Sequence, residues 1–243
     1  MALFDCILYN GEKELLEIRL NETKLFNQEV TTIAICSSQT HSGYDKPNYY
    51  DDFNCFPYFN IFGLCLDKLD GENPREREAY QRNKIKNVLN IIGAKDEDIV
   101  IISDVDEIPR ARQINLFKPD MKFACLMQEK YAYYLNNIED GVWWDRARIM
   151  TGEYLKDKQP EEVRNSGYDF IITNGGWHYS WVCDPLRKLK SFSHTELDTP
   201  ENIEKLERKE NIWDNNKFKV IDIDLSHPEY LYRNQDKFKH LIK

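Results

Sequence analysis

The feature that most constrains this chain is an apolar run, residues 99–102, that ends in a cluster of acids. The run reads Ile-Val-Ile-Ile, and an uninterrupted series of β-branched residues predicts a buried strand. Asp104, Asp106 and Glu107 follow it closely, and Pro109 prevents a regular continuation of the strand. A buried strand with acids at its carboxyl end is typical of an open α/β sheet, in which ligands bind beyond the carboxyl ends of the strands.

These acids require a counter-charge. Three neighbouring carboxylates repel one another unless a cation or basic side chains lie among them. Residues i and i+2 of an extended segment point to the same side, so Asp104 and Asp106 are placed to share one ligand. A divalent cation such as Mn²⁺ or Mg²⁺ prefers oxygen ligands and often binds substrate phosphates as well. The alternative is an acidic surface turn, which the preceding apolar strand disfavours.

Composition limits the classes of function. The chain of 243 residues is 41% hydrophobic and 31% charged, which is typical of a globular protein. Its 33 basic and 42 acidic side chains give a net charge of −9, which argues against a nucleic-acid partner. A phosphate-bearing substrate therefore needs a metal ion or a local basic cluster in such a protein.

Targeting signals are not visible in the sequence. There is no apolar run of about 18 residues, which a transmembrane helix needs, and the N-terminus lacks the pattern of a signal peptide. The six cysteines are scattered without Cys-x-x-Cys spacing, which suits reduced thiols. We therefore expect a cytoplasmic protein without a transmembrane segment.

Strand and helix patterns alternate over the first half of the chain. We expect strands at residues 4–9, 30–36 and 99–103 and helices at residues 12–25 and 75–92. The region 37–74 is polar and rich in turn residues, which predicts a functional loop with short elements. This order is that of βαβ units and predicts an α/β fold, with a mostly parallel sheet flanked by helices.

The second half of the chain is less regular. We expect a hairpin of strands 123–127 and 131–135, a strand at 146–151, and helices at 185–192 and 200–209. A helical tail is expected over residues 228–243. Because no repeat, linker or composition boundary is visible, residues 1–243 are expected to form a single domain.

Six segments of the chain, in order, resemble glycosyltransferase family 17. They lie at residues 4–22, 40–47, 78–83, 103–109, 175–180 and 190–196. This is the family of the β-1,4-mannosyl-glycoprotein N-acetylglucosaminyltransferase that adds bisecting GlcNAc to N-glycans. The resemblance implies a GT-A-like, Rossmann-type fold and a UDP-sugar donor. It also implies a glycan or glycoprotein acceptor, a metal held at Asp-x-Asp, and transfer with inversion.

Inversion calls for a general base that deprotonates the acceptor hydroxyl. His178, in the segment Asn174–His178, is the first candidate, because histidine changes its charge near neutral pH. We expect this segment to be a loop and His178 to act as base or metal ligand, with a structural hydrogen bond as the alternative. Glu129 and Glu196 are the other base candidates. His194 resembles the late histidine that many GT-A enzymes use as a metal ligand; a capping role is its alternative.

Basic side chains are candidates for contacts with the donor. Lys190, with Arg187 or Lys188, could meet the diphosphate, although such a run is also typical of a solvated helix face. Arg82 could hold a donor phosphate or orient Asp104, which is itself a candidate donor contact.

Two adjacent pairs of residues leave alternatives open. Glu17 and Arg19 suit a structural ion pair or a contact with uridine or ribose. Trp143 and Trp144 suit a platform for the acceptor or core packing.

The sequence is therefore interpreted as a metal-dependent inverting glycosyltransferase that uses UDP-GlcNAc. Ser37 stands where the family pattern has an acid, so another donor such as UDP-xylose stays open. A metal-dependent phosphohydrolase or nucleotidyltransferase also clusters carboxylates, but residues 1–98 offer no further set of acids at strand ends. A non-catalytic glycan-binding protein is disfavoured by the intact set of candidate residues.

Overall fold

A computed structural model describes residues 1–214 and 216–243, and one mixed sheet of nine strands organises this part of the chain. The strands are β1 (Leu3–Leu8), β2 (Val30–Ser37), β3 (Ile61–Leu66), β4 (Ile99–Asp104), β5 (Glu107–Pro109), β6 (Phe123–Ala132), β7 (Asn137–Thr151), β8 (Ile171–Ser180) and β9 (Lys219–Val220). Their order is β3-β2-β1-β4-β7-β6-β8-β5, with β9 paired to β7. Only β5 and β7 run against the other strands of the described sheet, which confirms the predicted mostly parallel α/β fold.

Helices cover both faces of the sheet. They are α1 (Lys13–Thr23), α2 (Pro74–Ile91), α3 (Ala111–Ile114), α4 (Gly152–Leu155), α5 (Pro160–Asn165), α6 (Pro185–Ser191), α7 (Pro200–Arg208), α8 (Glu229–Arg233) and α9 (Gln235–Phe238). Alternate side chains of β1 point to opposite faces. Cys6 accordingly packs in the cluster with Ile85 and Val88 of α2, whereas Ile7 packs with Leu16 and Leu20 of α1.

The long helix α2 follows directly from its sequence. The side chain of Asn73 caps it by accepting a hydrogen bond from the Glu76 backbone N–H, and Pro74 occupies the first turn. Ile85, Val88 and Leu89 form the buried stripe at helical spacing. This helix and the strands β1, β2 and β4 confirm the expected elements to within a residue or two.

The predicted loop 37–74 contains a strand that the sequence patterns missed. β3 pairs in parallel with β2 at the edge of the sheet. Gly63 lies in its middle, and a glycine there weakens a strand prediction. The glycine is needed because a Cβ at this position would lie 2.5 Å from Cδ2 of the Phe53 ring.

Two further predictions in the second half were wrong. The expected hairpin at residues 123–135 is a single strand, β6, whose pairing with β7 shifts register at polar positions such as Gln128, which is fully buried. The segment 174–178 is not a loop but lies within β8. Its glycines permit close strand packing rather than a turn, because a Cβ on Gly176 would lie 2.1 Å from the Ile108 carbonyl oxygen.

The C-terminal helices α8 and α9 pack on α1. Leu231 and Phe238 share a buried cluster with Leu15 and Ile18. None of the helices in the described ranges has the length and hydropathy needed to cross a membrane.

Candidate active site

A cavity of about 760 Å³ opens at the carboxyl ends of β1 and β4. The chain proceeds from β1 outward to β2 and β3, and then returns to the other side of β1 with β4. Such a reversal in strand order creates the crevice in which open α/β sheets bind ligands. The end of β1 contributes Leu8, Tyr9 and Asn10 to the cavity wall, and the end of β4 contributes residues 104–106.

Asp104 is held between two guanidinium groups. Its Oδ1 accepts a hydrogen bond from Arg82 at 2.6 Å, and its Oδ2 accepts one from Arg164 at 2.8 Å. Burial opposes ionisation of Asp104, but Arg164 and Arg82 outweigh it and lower the pKa to about 2. Arg82 is fully buried and also contacts Glu78 and Glu161, so it orients Asp104 from inside the protein.

Glu107, the third acid of the cluster, points away from the cavity. It is fully buried and contacts Arg164 through both carboxylate oxygens, each at 2.7 Å. Trp144 Nε1 donates to Oε1 at 2.6 Å, and the Asp104 backbone N–H donates to Oε2 at 2.9 Å. Glu107 therefore fixes the shape of residues 103–107, which we call the acidic loop.

Arg19 of α1 holds the acidic loop from the protein interior. Its guanidinium makes two hydrogen bonds to the Asp5 carboxylate, at 2.8 and 2.5 Å. It also donates to the carbonyl oxygens of Asp104 and Glu107 and to the Ser103 hydroxyl. Arg19 and Asp5 are both fully buried. The ion pair of Arg19 is thus formed with β1 and not with the neighbouring Glu17.

Asp106 is the acid of the cluster that is both buried and part of the cavity wall. It is 4% exposed, and its Oδ2 accepts a hydrogen bond from Lys188 of α6. His178 Nε2 lies 3.7 Å from the same oxygen. Burial opposes ionisation, but Lys188 and His178 outweigh it and hold the Asp106 pKa well below its usual range.

A divalent cation fits Asp106 better than Asp104. Both oxygens of Asp104 are engaged by guanidinium groups, whereas we find no hydrogen bond to Asp106 Oδ1 from any described residue. Within the described ranges, no group of three or more His, Cys, Asp or Glu side chains is placed to hold an ion. An ion at Asp106 would therefore take most of its ligands from water and from substrate phosphates, as Mg²⁺ commonly does.

His178 and Trp144 form one wall of the cavity. Their rings stack with centroids 4.2 Å apart and planes 28° apart. His178 is 5% exposed, and its Nδ1 is buried without a hydrogen-bond partner. Trp143, the preceding residue on β7, is 50% exposed and does not line the cavity. The strand alternation thus makes Trp144 the residue of the pair that reaches the site.

His194 lies on the cavity wall near exposed aromatic surface. Its ring is 5.5 Å from that of Phe192 and 5.2 Å from that of Trp213. Its Nδ1 lies 2.9 Å from Oε1 of Glu196, which is 57% exposed. The cavity therefore brings together Asp104, Asp106, His178 and His194 among the predicted residues.

Several of the predicted residues lie outside the cavity lining, and the exposed Glu196 described above is one of them. Arg82 lies behind Asp104, as described above. Glu129 contacts Arg110 at 3.3 Å, and Lys190 contacts Asp198 at 2.5 Å on the surface. Glu17 accepts a hydrogen bond from Tyr230 of α8 at 2.7 Å. These residues are therefore not placed for direct contact with a ligand in the cavity.

The structure adds residues that the sequence patterns did not single out. Arg164 comes from α5, a short helix with no strong periodic signal, and it reaches across to the end of β4. Glu12 and Lys46 enter the cavity from the loops that follow β1 and β2. Its position close behind a predicted strand is the signal that could have identified Glu12, whereas Lys46 lies nine residues beyond the end of β2.

The sequence of the chain matches one protein family over most of its length. The model of glycosyltransferase family 17 matches residues 1–214. This chain belongs to glycosyltransferase family 17. The resemblance of the six segments is thereby confirmed, and family membership makes the chain a glycosyltransferase. No curated protein matches the chain.

Three solved structures that resemble this family 17 glycosyltransferase do so at low identity. A mannosyltransferase from Pyrobaculum calidifontis, in complex with GDP-Man and Mn²⁺, is 11% identical with a TM-score of 0.40 over 71% of this chain and 56% of that one. The glycosyltransferase GlyE of Streptococcus pneumoniae is 13% identical with a TM-score of 0.34, over 67% and 36% of the two chains. The inositol-1-phosphate CTP transferase of T. maritima is 10% identical with a TM-score of 0.37, over 99% and 97%. With scores this low, the family match alone supports the assignment.

Proposed function

We propose that this family 17 glycosyltransferase transfers GlcNAc from UDP-GlcNAc to a glycan acceptor by a single inverting displacement that requires a divalent cation. The observation that carries the proposal is the position of Asp106. It is a buried, ionised carboxylate on the wall of a cavity at the reversal of strand order, and one of its oxygens receives no hydrogen bond from the described residues. Such a group suits a cation that is shared with a diphosphate.

The acidic loop would be held in place for the donor by Arg19 and Arg164. Arg19 fixes the backbone of residues 103–107, and Arg164 fixes the side chains of Asp104 and Glu107. In this proposal Asp106 would hold Mn²⁺ or Mg²⁺, and the bound ion would supply positive charge for the leaving diphosphate. The Asp104 carboxylate, oriented by Arg82 and Arg164, is partly exposed to the cavity and would face the donor.

His178 is the general base in this proposal. His178 lines the cavity, and its Nε2, 3.7 Å from Asp106 Oδ2, is the ring nitrogen proposed to accept the proton of the acceptor hydroxyl. Trp144 stacks on the imidazole and restricts its orientation. Glu129 contacts Arg110 outside the cavity lining, and Glu196 is exposed, so both are less well placed for this role.

Aromatic side chains near His194 suit an acceptor sugar. Trp213 and Phe192 line the cavity with His194, and Trp213 is 48% exposed. Aromatic rings combine an apolar face with polar edges and pack against the apolar face of a sugar.

Donor turnover tests the proposed reaction. The chain is incubated with Mn²⁺ and, separately, UDP-GlcNAc, UDP-xylose, other UDP-hexoses and GDP-mannose, and free nucleotide is measured. We expect slow release of UDP from UDP-GlcNAc, which increases when a glycan acceptor is added. If free nucleotide is released only from another donor, the sugar of that donor replaces GlcNAc in the proposal. Hydrolysis of a generic phosphodiester, or consumption of CTP without sugar transfer, would contradict glycosyl transfer at this site.

We further propose that residues 1–243 act as one domain. The helices α8 and α9 cover Leu15 and Ile18 of α1, which contributes Arg19 to the acidic loop. Truncation after residue 227 should therefore lower the free energy of unfolding, as measured in urea. An unchanged unfolding midpoint would contradict this proposal.

A further inference from the structure

Lys46 differs from the other cations of the cavity wall in its lack of a counter-ion. Its Nζ donates a hydrogen bond to Asn10 Oδ1 at 2.5 Å, and no carboxylate oxygen of the described residues lies within 4.0 Å of it. Each remaining lysine or arginine of the lining has such a carboxylate; these residues are Arg75, Lys130, Arg146, Arg164 and Lys188. A partly buried ammonium without a counter-ion is costly, so a ligand anion would be favoured there.

The position of the Lys46 ammonium is fixed by the surrounding loops. The Lys46 backbone N–H donates to the Ser38 carbonyl at 2.9 Å, which closes the loop after β2. Its partner Asn10 follows β1 and donates through Nδ2 to the Ser191 hydroxyl at 3.1 Å. The ammonium is thus held where the ends of β1, β2 and α6 meet at the cavity wall.

We propose that Lys46 binds a phosphate oxygen of the nucleotide-sugar donor. The inference rests on the proposed function and adds a donor contact that does not depend on the metal ion. An ammonium is a compact point charge with three N–H donors, of which Asn10 takes one, and the others are available to a phosphate. In a chain of net charge −9, such a local positive charge offsets the repulsion of an anionic donor.

The charge of Lys46 depends on the groups that face it from several elements. Burial, and to a smaller extent Arg187 on α6, lower the pKa of Lys46, while Glu12, Cys36 and Cys65 raise it, and the net result is a pKa of about 8. His41, on the same loop as Lys46, also faces it and has its own pKa lowered, chiefly by burial.

Calorimetric titration with UDP in Mg²⁺, together with saturation-transfer NMR with uridine, tests the contact. We expect Lys46→Met to weaken UDP binding by about 10-fold to 100-fold, the usual effect of one hydrogen bond to a charged group, and to leave uridine binding unchanged. Lys46→Arg should restore most of the affinity. Lys118→Met removes the same charge from an exposed site and should bind UDP like the unmodified chain. Thermal unfolding of each variant verifies that it is folded.

The pH dependence separates the charge of Lys46 from a purely structural role. In the unmodified chain the affinity for UDP should fall as the pH rises through and beyond about 8, because the ammonium loses its proton. The second ionisation of a phosphate, near pH 6, is already complete there. Lys46→Arg should keep its affinity to about pH 9, because a guanidinium stays charged.

Two results would overturn the inference. One is equal UDP affinity for Lys46→Met and the unmodified chain. The other is the same loss of affinity with pH in Lys46→Arg as in the unmodified chain. If the unmodified chain binds neither UDP nor GDP, the proposed function itself fails and the inference fails with it.

Discussion

The clamp formed by Arg19 and Asp5 leads to a quantitative prediction. Both side chains are fully buried, and Arg19 makes five hydrogen bonds, of which two go to Asp5 and three go to residues of the acidic loop. Arg19→Met leaves the Asp5 carboxylate without its counter-ion inside the protein. Removal of one partner from a buried ion pair costs about 3–5 kcal/mol. The free energy of unfolding should fall by that amount, out of the roughly 5–15 kcal/mol that is usual for a domain.

Urea unfolding monitored by tryptophan fluorescence measures this loss. In a thermal scan of the same variant, the unfolding temperature should fall by about 6 °C or more, given about 2–4 °C per kcal/mol for a chain of this size. The double variant Asp5→Asn with Arg19→Met should be more stable than Arg19→Met alone by about 1 kcal/mol or more, because no isolated charge is then buried. Arg208→Met is the control, since the pair of Arg208 with Glu210 is exposed to solvent and its loss should leave the unfolding midpoint nearly unchanged.

A loss below about 1 kcal/mol for Arg19→Met would refute this reasoning. It would mean that Asp5 becomes protonated or hydrated at little cost. The same result would remove the basis for regarding Arg19 as the residue that fixes the acidic loop.

Three further predictions concern the cavity wall. His178→Asn should lower kcat by about 100-fold to 10,000-fold and change UDP affinity by less than about threefold; a kcat within about twofold of the unmodified value would exclude His178 as the base. Trp144→Phe should lower the free energy of unfolding by about 1–3 kcal/mol, because it removes a donor to the fully buried Glu107, whereas the half-exposed Trp143→Phe should stay within about 0.5 kcal/mol in the same urea assay. The Asp104 pKa of about 2 lies below the value in an unfolded chain, about 3.9, so Asp104 stabilises the fold above about pH 4 and loses this effect as the pH falls towards 2. Asp104→Asn should flatten the acid limb of the stability curve, and an unchanged limb would contradict the assignment.

Much of the fold could be predicted because its signals are local. The apolar run before Asp104 and the capped, periodic helix α2 each satisfy the rules for their element without outside help. β3 and β8 were missed because their glycines serve contacts made by other parts of the chain. The Cβ that Gly63 lacks would clash with Phe53, and that of Gly176 with Ile108. Sequence patterns around a glycine do not show which neighbour approaches it.

The candidate site could be located but not assembled from the sequence. The acids after β4 mark the correct edge of the sheet, and their need for counter-charges is elementary electrostatics. The identity of the counter-charges depends on long-range contacts. Arg164 lies 60 residues from Asp104 in the chain, and Lys188 lies 82 residues from Asp106. These partners become visible only when the strand order is known.

Binding of UDP-GlcNAc to the unmodified chain and to Asp106→Asn, with and without Mn²⁺, tests the central claim most directly. In calorimetry we expect the unmodified chain to bind the donor at least about 10-fold more tightly with the ion, the effect of one lost contact between charged groups. The folded Asp106→Asn variant should lose this gain. Equal affinity with and without Mn²⁺, or an undiminished gain in Asp106→Asn, would contradict the claim that Asp106 holds a cation for the donor.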